Sequence, residues 1–157
     1  MPEPIREIFK YHYWATDIII DHLATLPPER LNDSVPGTAG PILDTLTHLV
    51  NADRLYQVLV QDQPRPPRDE GTYTLQELRE KFEAQSRKWE EILDHVDDYD
   101  PTLHNAEGDF PHARDLLITQ AIHHGNDHRT HICTILGAMG QEVPEIDEWA
   151  FWFSDQH

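Results

Sequence analysis

Apolar residues recur at helical spacing in four stretches of the chain, and segments rich in proline and glycine separate these stretches. The pattern predicts four helices, over residues 3–26, 42–60, 75–96 and 111–136. Pro27 and Pro28 end the first helix, because proline cannot continue a helical hydrogen-bond ladder. No stretch alternates apolar and polar residues as a half-buried strand does. The sequence therefore predicts an all-α four-helix bundle without a sheet of consequence.

The third predicted helix has the clearest start. Thr74 and Glu77 match a capping box, in which each side chain binds the backbone N–H of the other residue, so this helix should begin at Leu75. The connection before it, over residues 61–73, carries three prolines. Its length and stiffness allow the helices to assemble in an order that differs from their order along the chain.

A chain of 157 residues can bury one substantial core, so a single domain over residues 1–157 is expected. Residues 141–157 form an aromatic tail that should fold back onto the bundle. The helix over 42–60 is apolar on two faces, one shared with His48 and the other carrying Leu46 and Val50. The second face packs within its own bundle in the favoured interpretation, and forms a homodimer contact in the alternative.

The charge balance narrows the range of partners. The chain has 29 acidic and 12 basic residues, for a net charge of −17. Nucleic acid is not expected as a partner, because phosphate binding needs clustered lysine and arginine, and an anionic membrane surface is disfavoured on the same ground. No apolar run reaches membrane-spanning length and no signal-peptide pattern opens the chain, so a cytoplasmic protein is expected.

His124 and His128 are the strongest chemical signal. Four residues apart on one predicted helix, they stand on the same face, where two imidazoles can bind one metal ion. Apolar residues such as Ala121 and Ile132 lie close to this face. Two histidines in an apolar stripe are costly without a partner, so a metal site is favoured over two buried histidines satisfied by neighbouring groups.

His48 is the candidate third ligand, because it lies inside the apolar pattern of the second helix. Three neutral imidazoles leave a coordination position open, which is typical of a catalytic site. Imidazole suits several divalent metals. We expect one ion, zinc or nickel first, with iron or manganese as alternatives.

Other polar residues near the predicted site have more than one interpretation. Asp44, four residues before His48, is either a fourth ligand, a hydrogen-bond partner of a ligand, or a favourable charge in the first helical turn. His131 is expected to fill the mouth of the site or to act as acid or base rather than to bind the metal. His12 could also face the bundle interior, whereas His123 should be exposed.

Several other catalytic patterns are absent from the sequence. The segment over 124–128 lacks the glutamate of the zincin motif, and neither His124 nor His48 has a glutamate three residues before it as in di-iron bundles. There is no glycine-rich phosphate loop and no serine nucleophile elbow. The single Cys133 excludes an intrachain disulfide and is interpreted as a small hydrophobic residue.

The chain resembles the DinB/YfiT-like superfamily over most of its length. The resemblance rests on Trp14-Ala15, on residues 44–48, on residues 124–129, and on the tail from Leu136 to Trp152. It implies a four-helix bundle of the DinB/YfiT-like type and a divalent metal held by three histidines, which correspond to His48, His124 and His128. Two positions depart from the family pattern: Asp53 replaces a glutamate and His131 replaces a glutamine.

The resemblance also implies a function. Characterised members include thiol-dependent transferases and isomerases, so we expect a metal-dependent enzyme that acts on a small molecule with a low-molecular-weight thiol. The alternatives are a metal-dependent hydrolase and a non-catalytic, stress-linked structural module. Cys133 lies away from the predicted histidine face, so the thiol should arrive with the substrate. The sequence identifies no catalytic residue beyond the metal ligands.

Overall fold

The computed structural model describes residues 3–69 and 71–154. Four long helices dominate these ranges, and the predicted all-α bundle is confirmed. They are α1 (Glu3–Ala24), α2 (Ile42–Val60), α3 (Leu75–Asp94) and α4 (Ala113–Ala138), followed by the short α5 (Glu148–Trp152). Turns of 3₁₀ helix cover Pro28–Asn32 and Val96–Asp98.

The helices do not pack in chain order. α2 packs against both α3 and α4, and α1 packs against the same two helices from the opposite side of the bundle. Around the bundle the order is therefore α1, α3, α2, α4. The structure has the non-adjacent order that the sequence allowed, but the 61–73 connection joins neighbouring helices. The diagonal crossings are made instead by the connections that follow α1 and α3.

The helix ends follow local chemistry. At the start of α3 the predicted capping box is present: the Glu77 N–H donates to the Thr74 hydroxyl oxygen at 3.2 Å, and the Thr74 N–H donates to the Glu77 carboxylate at 2.8 Å. α4 begins two residues later than predicted, because His112 adopts a left-handed conformation with φ of 62°.

The segment before α4 contains a short pair of strands, which the sequence pattern did not predict. Leu103–Asn105 (β1) pairs antiparallel with Gly108–Phe110 (β2) in a small hairpin. Each strand has three residues, and the hairpin is mostly exposed. A strand this short and this exposed carries no apolar alternation that a sequence pattern could reveal.

The core fills the space between the long helices. Leu46 and Val50 of α2 are fully buried there, as are Phe82 and Trp89 of α3. The second apolar face of α2 therefore packs within its own bundle, as the favoured interpretation predicted. No helix in the described ranges is long and apolar enough to cross a membrane.

The C-terminal segment contacts the outside of α1. Phe151 of α5 is buried with its ring 6.0 Å from that of Tyr11 and 5.4 Å from that of Trp14. The Tyr11 hydroxyl donates to the backbone oxygen of Ile146 at 3.0 Å. The rest of the segment is more exposed, including Trp149, and residues 155–157 lie outside the described residues.

Candidate metal centre

Three histidines converge where α2 and α4 pack side by side. Nε2 of His124 lies 3.2 Å from Nε2 of His48 and 3.0 Å from Nε2 of His128. Within the described part of the chain, these three residues form the group of potential metal ligands whose donor atoms all lie within 4.8 Å of one another. The structure thus brings together the three histidines that the sequence singled out.

The spacing of the three nitrogens suits a bound cation. Around an ion with ligands at about 2.1 Å, neighbouring donors lie roughly 3.4 Å apart in tetrahedral geometry and about 3.0 Å apart in octahedral geometry. In a neutral imidazole a ring nitrogen is either a donor or an acceptor, so three converging Nε2 atoms can form only one well-aligned hydrogen bond. One cation between them could accept all three lone pairs.

The protonation states also favour metal binding. Burial, followed by the nearby His128 and His48, lowers the pKa of His124 to about 4. Burial, followed by the nearby His48 and His131, lowers the pKa of His128 to about 4. Both imidazoles are therefore neutral at pH 7, and the neutral imidazole is the form that binds a metal ion.

The histidine cluster is open on one side. His128 is buried and His124 is half-buried, whereas His48 is exposed. A cavity of about 650 Å³ lies against His48, bounded by α2 and by the connection to α3. A small molecule in this cavity would contact the His48 ring.

The other predicted candidates do not join the converging group. Asp44 is exposed in the first turn of α2, at the wall of the cavity. His131 is half-buried, with its ring 5.7 Å from that of His128. Nδ1 of His128 and Nδ1 of His131 are both buried without a hydrogen-bond partner among the described residues. His123 is exposed, as predicted.

A second polar cluster lies deeper in the bundle, centred on His12. His12 is completely buried, which confirms that it faces the interior, and burial is the main cause that lowers its pKa. A guanidinium nitrogen of Arg129 donates to His12 Nδ1 at 3.1 Å, so Nε2 carries the proton of the neutral ring. That Nε2 faces a carboxylate oxygen of Asp53 at 3.7 Å, longer than a hydrogen bond.

Asp53 ties this cluster to α1 and α3. Its carboxylate accepts hydrogen bonds from the Tyr13 hydroxyl at 3.0 Å and from the Trp89 indole N–H at 3.0 Å. Arg129 also donates to the Thr16 hydroxyl at 3.0 Å. Asp53 and Arg129 thus place opposite charges on either side of a neutral His12. The sequence argument noted Asp53 only as a departure from the family pattern and assigned no role to Arg129.

Comparison with known proteins supports the family resemblance. The profile of the DinB family matches residues 1–156, nearly the whole chain. A search of curated proteins finds no match. The chain belongs to the DinB family.

Proposed function

We propose that the protein binds one divalent metal ion through Nε2 of His48, His124 and His128. We further propose that it is a metal-dependent enzyme of the thiol-dependent transferase type. The observation that carries the proposal is the convergence of three Nε2 atoms beside a cavity that the exposed His48 lines. A closed structural site would need a fourth protein ligand, and Asp44 and His131 lie outside the converging group of described residues.

The protein's own residues supply a neutral, preorganised ligand set. His124 and His128 are fixed one turn apart on α4, and burial keeps both rings unprotonated at pH 7. A divalent metal ion held there would favour the deprotonated form of a coordinated thiol or water. Zinc and nickel both suit an all-imidazole set.

The reacting thiol is assigned to a small co-substrate rather than to the chain. Cys133 packs against the hydrophobic core, and burial raises the pKa of its thiol. A thiol with a raised pKa is a poor nucleophile at neutral pH. In the proposed transfer, the co-substrate thiol gives its proton to water. Its sulfur then forms a bond to an electrophilic carbon of the second substrate, which releases its leaving group with the electron pair of the broken bond.

The test uses untagged protein loaded with cobalt, titrated with 2-mercaptoethanol and with cysteine. We expect a sulfur-to-cobalt charge-transfer band and thiol-dependent turnover of a chromogenic aryl halide. The His128→Ala variant should lose both signals, and the exposed neighbour His123→Ala should keep both.

Two outcomes would overturn the transferase assignment. Absence of the band for any thiol, together with metal-dependent hydrolysis of an ester, would point to a hydrolase. A bound metal whose spectrum responds to neither thiol nor inhibitory anions such as azide would point to a structural module.

A further inference from the structure

The cavity beside His48 has an unusual charge. Of the described residues that line it, three are arginines: Arg54 on α2, and Arg65 and Arg68 on the connection to α3. They come from a chain with 12 basic residues in total against 29 acidic ones. A quarter of the basic residues thus lies at one cavity of a strongly acidic protein.

These arginines are free to bind a ligand. None of the three side chains forms a hydrogen bond or an ion pair with another described residue, whereas Arg6 pairs with Asp94 at 2.7 Å and Arg30 pairs with Asp33 at 3.2 Å. Arg87 on α3 is also unpaired among the described residues, so the lack of a partner alone does not distinguish the three. They are distinguished by lining one concave surface together, where their combined positive potential favours a small anion.

The acidic residues of the cavity wall do not neutralise this cluster. The Asp69 carboxylate accepts hydrogen bonds from the Tyr73 hydroxyl at 2.6 Å and from the Gly71 N–H at 3.0 Å, and it pairs with Lys81 at 3.3 Å. Its oxygens are thus already occupied. Asp44, in the first turn of α2, also lines the cavity but forms no ion pair with any of the three arginines.

We propose that this cavity binds the substrate or co-substrate as a small organic anion. Its carboxylate or phosphate group contacts Arg54, Arg65 and Arg68, and its reacting end lies at His48. This inference rests on the proposed function. It adds that the substrate or co-substrate is negatively charged. The planar guanidinium group matches carboxylate and phosphate geometry with two parallel hydrogen bonds.

The dimensions suit one small molecule. The cavity of about 650 Å³ lies within the range of small-molecule sites, about 300–1,000 Å³. His48 and Arg54 are separated along the α2 axis by about 9 Å, at 1.5 Å per residue. Pro66 and Pro67 stand between Arg65 and Arg68 and restrict the backbone that carries them, which reduces the entropy lost when a ligand binds.

The test measures anion binding separately from metal binding. Succinate and inorganic phosphate are titrated into metal-free and zinc-loaded protein at constant ionic strength. Binding is followed by the amide chemical shifts of residues 47–55 and of Arg65, Arg68 and Asp69. Succinamide serves as the uncharged control. We expect the two anions to bind both forms of the protein and succinamide to bind neither, and the tighter anion identifies the preferred oxyanion.

Matched variants localise the binding. Arg54→Gln, Arg65→Gln and Arg68→Gln should each weaken succinate or phosphate binding by about threefold to tenfold. Arg87→Gln removes the same charge from an exposed position on α3 outside the cavity and should change binding by less than about twofold. All four substituted positions are exposed, so circular dichroism and thermal melts should match the wild type.

Equal weakening by Arg87→Gln, or binding of succinamide as tight as that of succinate, would overturn the inference. The two proposals can fail separately. Intact zinc binding without anion binding overturns only the anion site. Intact anion binding without zinc binding supports the anion site and overturns the proposed metal centre.

Discussion

The histidine cluster and the His12 network are two polar regions that both use residues of α2 and α4. Asp53 follows His48 by five residues on α2, and Arg129 follows His128 directly on α4. Yet the two regions differ in how their polar atoms are used. In the His12 network, Arg129 and the carboxylate of Asp53 are hydrogen-bonded to protein groups and carry charges of opposite sign.

In the histidine cluster, three ring nitrogens of the same kind face one another, and one of the three residues, His48, lines a cavity. Such an arrangement cannot satisfy itself with hydrogen bonds. The difference separates a structural role from a binding role. The charged groups of the His12 network find partners within the protein, although His12 Nε2 and Arg129 Nε have none among the described residues. In the proposed function, a metal ion completes the histidine cluster. Disrupting the network should therefore cost stability, and disrupting the cluster should cost metal binding.

The largest effect on stability is expected from Asp53→Ala. The substitution leaves the Tyr13 hydroxyl and the Trp89 N–H without their buried acceptor. The loss should be about 2–5 kcal/mol of the free energy of unfolding, because each buried donor left unsatisfied costs about 1–3 kcal/mol. Urea unfolding of the metal-free protein measures it. Asp127→Ala, at an exposed position on α4, is the control and should change stability by less than about 0.5 kcal/mol; equal effects would contradict a structural network.

A smaller loss is expected from Gly125→Ala. A Cβ at this position would overlap Cε1 of His12 and lie 2.6 Å from its Nδ1, and the fully buried ring has little room to move. Overpacking of this kind costs about 1–3 kcal/mol. Gly137→Ala on the same helix is the matched control: its Cβ would meet Val143 at an ordinary 3.6 Å, so it should stabilise the helix by up to about 1 kcal/mol. Urea unfolding should show a lower free energy of unfolding for Gly125→Ala and a higher one for Gly137→Ala. A neutral or stabilising Gly125→Ala would contradict the tight packing of His12 against Gly125.

The pH dependence of stability should report the histidine cluster. The folded pKa of His124 and of His128 is about 4, below the ordinary value of 6.5. Between these values the unfolded chain binds protons that the folded chain does not. The stability of the metal-free protein is therefore fully present above pH 6.5 and falls as the pH drops towards 4.

The variant His124→Gln isolates this contribution. It removes one titrating group, so its stability should fall less steeply over the same window, by up to about 1.4 kcal/mol per pH unit. Urea unfolding at pH 7, 6 and 5 measures the difference in slope. Parallel profiles for the variant and the wild type would show that His124 has no depressed pKa in the metal-free protein.

The smallest effect on stability is expected from His48→Ala. The His48 side chain is exposed, so its removal from the metal-free protein should change the free energy of unfolding by about 0.5 kcal/mol or less. Urea unfolding in the presence of a chelator measures this. A loss comparable to that of Asp53→Ala would mean that the cluster is itself a structural element.

Much of the fold could be predicted from the sequence, because the apolar period of each long helix is a local property. The capping box at Thr74 is local as well, and the structure contains it. The order of the helices around the bundle could not be predicted, since it depends on how the connections cross. The β1–β2 hairpin was missed because two exposed three-residue strands leave no periodic signal.

The candidate site could likewise be predicted only in part from the sequence. The shared face of His124 and His128 follows from their four-residue spacing alone. The burial of His12 was anticipated from its place in the first helix. Its partner Arg129 lies 117 residues away and Asp53 stands on another helix, so no local pattern reveals the network. A charged residue inside an apolar stripe, such as Arg129 beside Ile132, was the available signal, because buried charges require partners.

The most direct test of the account is metal analysis of the protein purified without an affinity tag, followed by competition against a chelator of known affinity. Wild type and the exposed-neighbour control His123→Ala should each bind one divalent ion per chain. His48→Ala, His124→Ala and His128→Ala should each bind it more than about 100-fold more weakly, since the loss of a direct ligand should exceed the effect of losing a supporting residue. Unchanged stoichiometry and affinity in these three variants would contradict the three-histidine centre.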